Sequence, residues 1–208
     1  MFERCILLGD SIQSLVIEQT GQPDALAKEL TAILIPSLTD VSIQNISSPG
    51  LCMADPAGSP GIGANSLRQA IPLISGTVLH ATRVIVTLGV NDWYSPSTTG
   101  AAFTTAYQSY VAYCKSLGLS VVCVAPIFNF AEGNYITHTD GGMWLQNIRE
   151  WIASIATLQG CPFLNGADCA ITCDATCYAS DGIHLNTKGH SLFAPWLVAE
   201  MKALGLWC

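Results

Sequence analysis

Short apolar runs alternate with longer amphipathic stretches along this chain. Arg4–Gly9, Val41–Asn45, Arg83–Leu88, Ser120–Pro126 and Pro162–Leu164 are together rich in Val, Ile and Leu, without regular polar alternation. That is the pattern of parallel strands covered on both faces. Between them, Asp24–Leu34, Ser66–Leu79, Ala101–Leu117, Gly142–Gln159 and Thr187–Leu204 have helical length and spacing. Gly118 and Gly160 stand where C-cap glycines stand, and Asn65 and Asn186 where N-caps stand. The alternation predicts a three-layer α/β/α sandwich with right-handed crossovers, one domain over residues 1–208, and a flavodoxin-like five-stranded parallel sheet of order 2-1-3-4-5. Two segments are too long for simple turns: the Gly/Pro-rich Pro49–Gly63 and the polar Asn129–Gly141. Both fall at the C-terminal edge of the predicted sheet, where functional loops gather.

Composition narrows the function classes. The chain has 208 residues, 50% of them hydrophobic and 11% charged, enough to bury a large core unaided. Its net charge of -7, with no basic stripe, argues against nucleic acid and disfavours a strongly anionic polymer as substrate. No window holds the ~18 uninterrupted apolar residues of a membrane span. No signal peptide precedes the first strand, so a cytosolic protein and one whose signal was removed both fit.

Nine cysteines are many for an intracellular enzyme. Cys5, Cys114 and Cys123 sit in apolar contexts and read as buried thiols. Cys161, Cys169, Cys173 and Cys177 crowd one stretch, with Cys52 and Cys208 elsewhere. A four-thiolate zinc site is one reading of the crowd. The absence of a Cys-x-x-Cys knuckle favours the other, at least one disulfide within residues 161–208.

Candidate chemistry follows four different strands. Gly9-Asp10-Ser11 comes after the first, Gly50 after the second, Gly89-Val90-Asn91-Asp92 after the third, and Asp181-Gly182-Ile183-His184 after the fifth. In a parallel sheet these loops open on one edge, so residues distant in sequence converge. Each block alone has a bland reading. Ser11 can cap a helix, Gly50 and Asn91-Asp92 can be turns, and His184 can be a surface histidine. Average residue usage gives a chance Gly-Asp-Ser in roughly one such chain in twenty, and a chance Asp-x-x-His in about one in four. The conjunction of four, each at the same predicted edge, is the informative feature. His80, His138 and His190 lack such context and read as structural or surface residues, with His138 a candidate for the rim of the site. The nucleophile elbow Gly-x-Ser-x-Gly does not fit, because Gln13 stands two residues after Ser11.

On these blocks the chain resembles the SGNH hydrolases, the GDSL esterase/lipase family. Gly9-Asp10-Ser11-Ile12 matches the family's Gly-Asp-Ser-Leu with Ile for Leu. Gly50 best matches its second-block glycine, although Gly58, Gly61 and Gly63 follow closely. Gly89, Asn91 and Asp92 match the third block fully, and Asp181 and His184 match the last. The resemblance implies a serine hydrolase that needs no metal or organic cofactor. Ser11 would be the nucleophile, His184 its base and Asp181 the acid that orients the imidazole. Backbone N–H groups of Ser11 and Gly50 and the side-chain amide of Asn91 would form the oxyanion hole.

Substrate class is less determined. Asp10, Asp92, Trp93 and Tyr94 flank the blocks and are candidates to line the substrate site, with Trp144 and Tyr135 near the polar loop. Rim aromatics stack on sugars but also wall acyl pockets. No long apolar flap suggests a lipase lid. The reading is a small acyl group, acetyl foremost, on a carbohydrate or other small alcohol. The alternatives are a thioesterase or lysophospholipase acting on longer chains and, in another class, a non-catalytic binding module of the same fold.

Overall fold

The computed structural model describes residues 3–10, 41–45, 47, 51–54, 82–95, 97–127 and 145–207. Strands β1 (Glu3–Gly9), β2 (Val41–Asn45), β3 (Arg83–Thr87), β4 (Ser120–Ala125) and β5 (Phe163–Asn165) form one sheet in the order β2-β1-β3-β4-β5. Every pairing is parallel. Helices α1 (Val90–Tyr94), α2 (Gly100–Ser116), α3 (Leu145–Gln159) and α4 (Thr187–Ala203) lie between and after the described strands. The expected α/β architecture is therefore present. The helices expected at Asp24–Leu34 and Ser66–Leu79, and the cap at Asn65, lie outside the described residues.

Side chains of successive strand residues point to opposite faces, and both faces are packed. Ile6, Leu8, Val84, Val86, Val121 and Cys123 meet α2 and α3 through Phe103, Tyr107, Ile148 and Ile152. Cys5, Leu7, Ile85, Val122 and Val124 meet α4 through Phe193, Leu197 and Met201. This double covering explains why the central strands read as continuous apolar runs. The edge strand β2 departs from that pattern: Val41-Ser42-Ile43-Gln44-Asn45 does alternate, as suits a strand with one neighbour.

Local signals place the helix ends. Gly118 and Gly160 have φ of 79° and 63°, the left-handed conformation that ends α2 and α3. Asn186 Oδ1 accepts the Gly189 N–H at 3.0 Å and caps α4. Helix α1 was not expected, because five residues are too few for a periodic signal to register.

Candidate active site

The parallel register aligns the strand ends. Gly9 pairs with Thr87 and Leu7 with Asn45, so the segments leaving β1, β2 and β3 start side by side. Thr87 Oγ1 donates to Leu8 O at 3.1 Å and braces β1 against β3 at this edge. Asp10 follows β1 with its side chain fully buried. Ser11, the next residue, and Gly50 lie outside the described residues, as do Gly58, Gly61, Gly63, His80, Tyr135, His138 and Trp144.

Gly89 turns the chain from β3 into α1. Its φ is 138°, and a Cβ there would lie 2.7 Å from Ile148 Cγ2, so only glycine fits. The Trp93 N–H donates to Gly89 O at 3.1 Å, making the Asn91-Asp92 segment helical rather than a simple turn. Asn91 and Asp92 then grip one short segment that follows Gly50 in the chain. Asn91 Nδ2 donates to Leu51 O at 3.1 Å. Asp92 Oδ2 accepts the Met53 N–H at 2.7 Å, and Oδ1 accepts the Ala54 N–H at 2.9 Å.

The last block is built as tightly. Tyr178 and Leu185 form an antiparallel bridge, and the Ala179 N–H donates to His184 O at 2.8 Å. Gly182, with φ 69°, closes the turn between them. Asp181 Oδ1 accepts the N–H groups of Ile183 at 2.9 Å and His184 at 3.0 Å. Its Oδ2 lies 2.6 Å from His184 Nδ1. Burial pushes the Asp181 carboxyl up, but the bonds from the His184 ring and the two backbone N–H groups outweigh it, and its pKa falls below the ordinary value. An ionised carboxylate only accepts, so Nδ1 carries the imidazole proton and Nε2 is the basic atom.

These spacings are those of a known family: residues 7–192 match the model of the GDSL-like lipase/acylhydrolase family. The chain belongs to that family. This GDSL-like protein is an ester hydrolase. Its fold is similar to that of the lipase/acylhydrolase from Enterococcus faecalis, at 18% identity and TM-score 0.76, covering 98% of this chain and 97% of that one. It is also similar to an acetyl xylan esterase from Geobacillus stearothermophilus, at 14% identity and TM-score 0.71, covering 96% and 94%. A third similar structure is the psychrotrophic esterase EstA from Pseudoalteromonas sp., at 17% identity and TM-score 0.70, covering 97% and 98%. No curated protein matches the chain.

In this GDSL-like hydrolase the residues expected to touch substrate divide by burial. Asp10, Asp92 and Trp93 are fully buried, beneath the surface rather than on it. Tyr94 is exposed and packs edge-on against Trp93, with centroids 5.1 Å apart. Burial, aided by the negative charge of Asp10, raises the Asp92 carboxyl to about 7 against the pull of its backbone donors. A carboxyl raised on folding stabilises the fold fully below its unfolded value of 3.8, and that contribution is lost as pH rises through about 7. Urea midpoints measured from pH 5 to pH 8 should therefore fall more steeply in the wild type than in Asp92→Asn.

The disulfide expected within residues 161–208 does not form among the described cysteines of that stretch. Cys161, Cys169 and Cys177 are unbridged thiols. Cys161 packs on the α2/α3 side of the sheet, whereas Cys169 and Cys177 pack on the α4 side, so the sheet separates them. The same separation rules out a zinc site using all four thiolates. The Cys173 side chain and Cys208 lie outside the described residues. Among the described residues no group of three or more His, Cys, Asp or Glu side chains is arranged to hold a metal ion. Among them, too, no helix is long and apolar enough to cross a membrane.

Polar side chains anchor the loop that bears Asp181 and His184. Asn186 Nδ2 donates to Thr176 O and Tyr178 O, both at 2.9 Å, while its oxygen caps α4. One side chain thus joins the loop bearing Asp181 and His184 to the helix that follows. Asp174 Oδ1 accepts the Thr176 N–H at 2.9 Å, and Lys188 Nζ lies 2.7 Å from Asp174 Oδ2. The sequence marked Asn186 only as a cap; its reach to Thr176 and Tyr178 has no local signature. His190, on α4, is buried, and burial followed by the proximity of His184 lowers it to about 4. It stays neutral near pH 7 and adds no positive charge beside an imidazolium forming on His184.

Proposed function

We propose that the protein hydrolyses short-chain carboxylic esters through an acyl-enzyme on Ser11. The observation that carries this reading is the 2.6 Å contact between Asp181 Oδ2 and His184 Nδ1, with the other Asp181 oxygen held by two backbone N–H groups. That arrangement selects the tautomer a general base needs. His184 Nε2 takes the Ser11 proton as Oγ attacks the ester carbonyl, then returns it to the departing alcohol. Water enters by the same base and releases the acid. The oxyanion is held by the Ser11 and Gly50 N–H groups and by Asn91. One N–H of the Asn91 amide is committed to Leu51 O, which fixes its orientation and leaves the second for the oxyanion.

Acetyl on a carbohydrate is the preferred substrate class. Tyr94 stands exposed three residues beyond Asn91, where an aromatic face can stack on a sugar ring. The similar acetyl xylan esterase, whose name records such a substrate, supports the same choice. Incubation with a serine-directed phosphonate, followed by peptide mass mapping, should place one adduct on Ser11. Hydrolysis of nitrophenyl acetate should exceed that of the octanoyl ester, and an acetylated xylo-oligosaccharide should be turned over. A preference for eight carbons or more would replace this reading with a thioesterase or lysophospholipase. Absence of any adduct, with no esterase activity, would favour a binding module.

A further inference from the structure

Asp92 has a carboxyl group with no solvent exposure, set on a helix of five residues, and both its oxygens accept backbone N–H groups of the segment 51–54. A buried carboxyl group needs donors in place of its water. Here the donors are main-chain amides, and Asn91, one residue earlier, holds Leu51 O of the same segment. Residues 51–54 are thus tied at three points to two consecutive side chains of α1. The segment itself is apolar, Leu51-Cys52-Met53-Ala54, and wholly buried, so its polar groups have no water to fall back on. Gly89 fixes where α1 begins and so where both side chains point.

We propose that Asp92 is a positioning residue for ester hydrolysis, whose carboxyl group holds the Met53 and Ala54 N–H groups and thereby fixes the Leu51 carbonyl that orients the Asn91 amide. This rests on the reading of Asn91 as an oxyanion donor. Asp92 touches no reacting atom; it acts through the 51–54 segment. The ground-state ester makes little use of a donor aimed at the tetrahedral oxyanion. Disturbing the clamp therefore lowers kcat and leaves KM nearly unchanged.

Asp92→Asn replaces one accepting oxygen by an NH2 that opposes a backbone N–H. With nitrophenyl acetate, below the melting point of the variant, kcat should fall about 100-fold, the scale of losing one oxyanion donor. KM should stay within about threefold. A folded Asp92→Asn enzyme with kcat within threefold of wild type overturns the proposal, as does a loss carried wholly in KM. Should that variant not fold, replacing Ala54 by lactic acid removes one N–H and leaves the carboxyl group. There kcat should fall about tenfold, a share of the loss expected when one donor is fully misplaced, and an unchanged kcat again overturns the clamp. Ser11→Ala and the phosphonate adduct test the underlying reading separately. An enzyme that depends on Ser11 but is indifferent to both changes fails the clamp alone.

Discussion

Ser11→Ala and His184→Ala should each abolish all but a trace of ester hydrolysis, with kcat falling by about 10⁴-fold or more. The two side chains depend on each other. A serine hydroxyl is a weak nucleophile until a base accepts its proton, and the imidazole has no task once the hydroxyl is gone. The double variant should accordingly be about as active as either single one, because members of such a unit do not contribute additively. Neither change should unfold the protein. His184 is about a third exposed, at 31%, so truncating it leaves no deep cavity. Steady-state assays of all three variants, with circular dichroism to confirm folding, check the prediction. Full activity in Ser11→Ala would defeat the serine mechanism.

How far the sequence revealed these features depended on how local each signal was. Strands β1 and β3 were legible because both faces are covered, and Cys5-Ile6-Leu7-Leu8 and Val84-Ile85-Val86 contain nothing but apolar residues. The caps at Gly118, Gly160 and Asn186 were legible because each is one residue's backbone preference. The Asp181–His184 contact needed only a three-residue spacing on one turn. What was hidden is what depends on partners far away in the chain. Asp92 reads from sequence as a candidate to line the substrate site, since nothing nearby announces that Met53 and Ala54, about 40 positions earlier, bring their N–H groups to it. The apolar tetrapeptide Leu51–Ala54 inside a Gly/Pro-rich loop was the one available hint that this stretch is buried. Cys161 and Cys169 show the same dependence: crowding in sequence suggests pairing, but Cys161 precedes β5 and Cys169 follows it, and they pack on opposite faces of the sheet.

Asp181→Asn should be the more instructive change, costing about 10³-fold in kcat, less than loss of the histidine. Asp181 has two jobs, and asparagine keeps only one. Its amide oxygen can still accept the Ile183 and His184 N–H groups that shape the turn. Its NH2 then faces Nδ1, 2.6 Å away in the wild type, where the carboxylate accepted a proton. A donor at that point favours the tautomer with the proton on Nε2, and that nitrogen can no longer receive the proton of Ser11. Side-chain exposures of 31% for His184 and 37% for Asp181 moderate the loss, because water can stand in for part of the carboxylate's stabilisation of the imidazolium. Asp181→Ala should therefore retain more activity than Asp181→Asn, since an empty site admits water and imposes no wrong tautomer. If orientation alone mattered, the order would reverse, with asparagine the better substitute. Measuring kcat for both variants on the acetyl ester, alongside the ring ¹⁵N shifts of His184, distinguishes tautomer control from simple positioning.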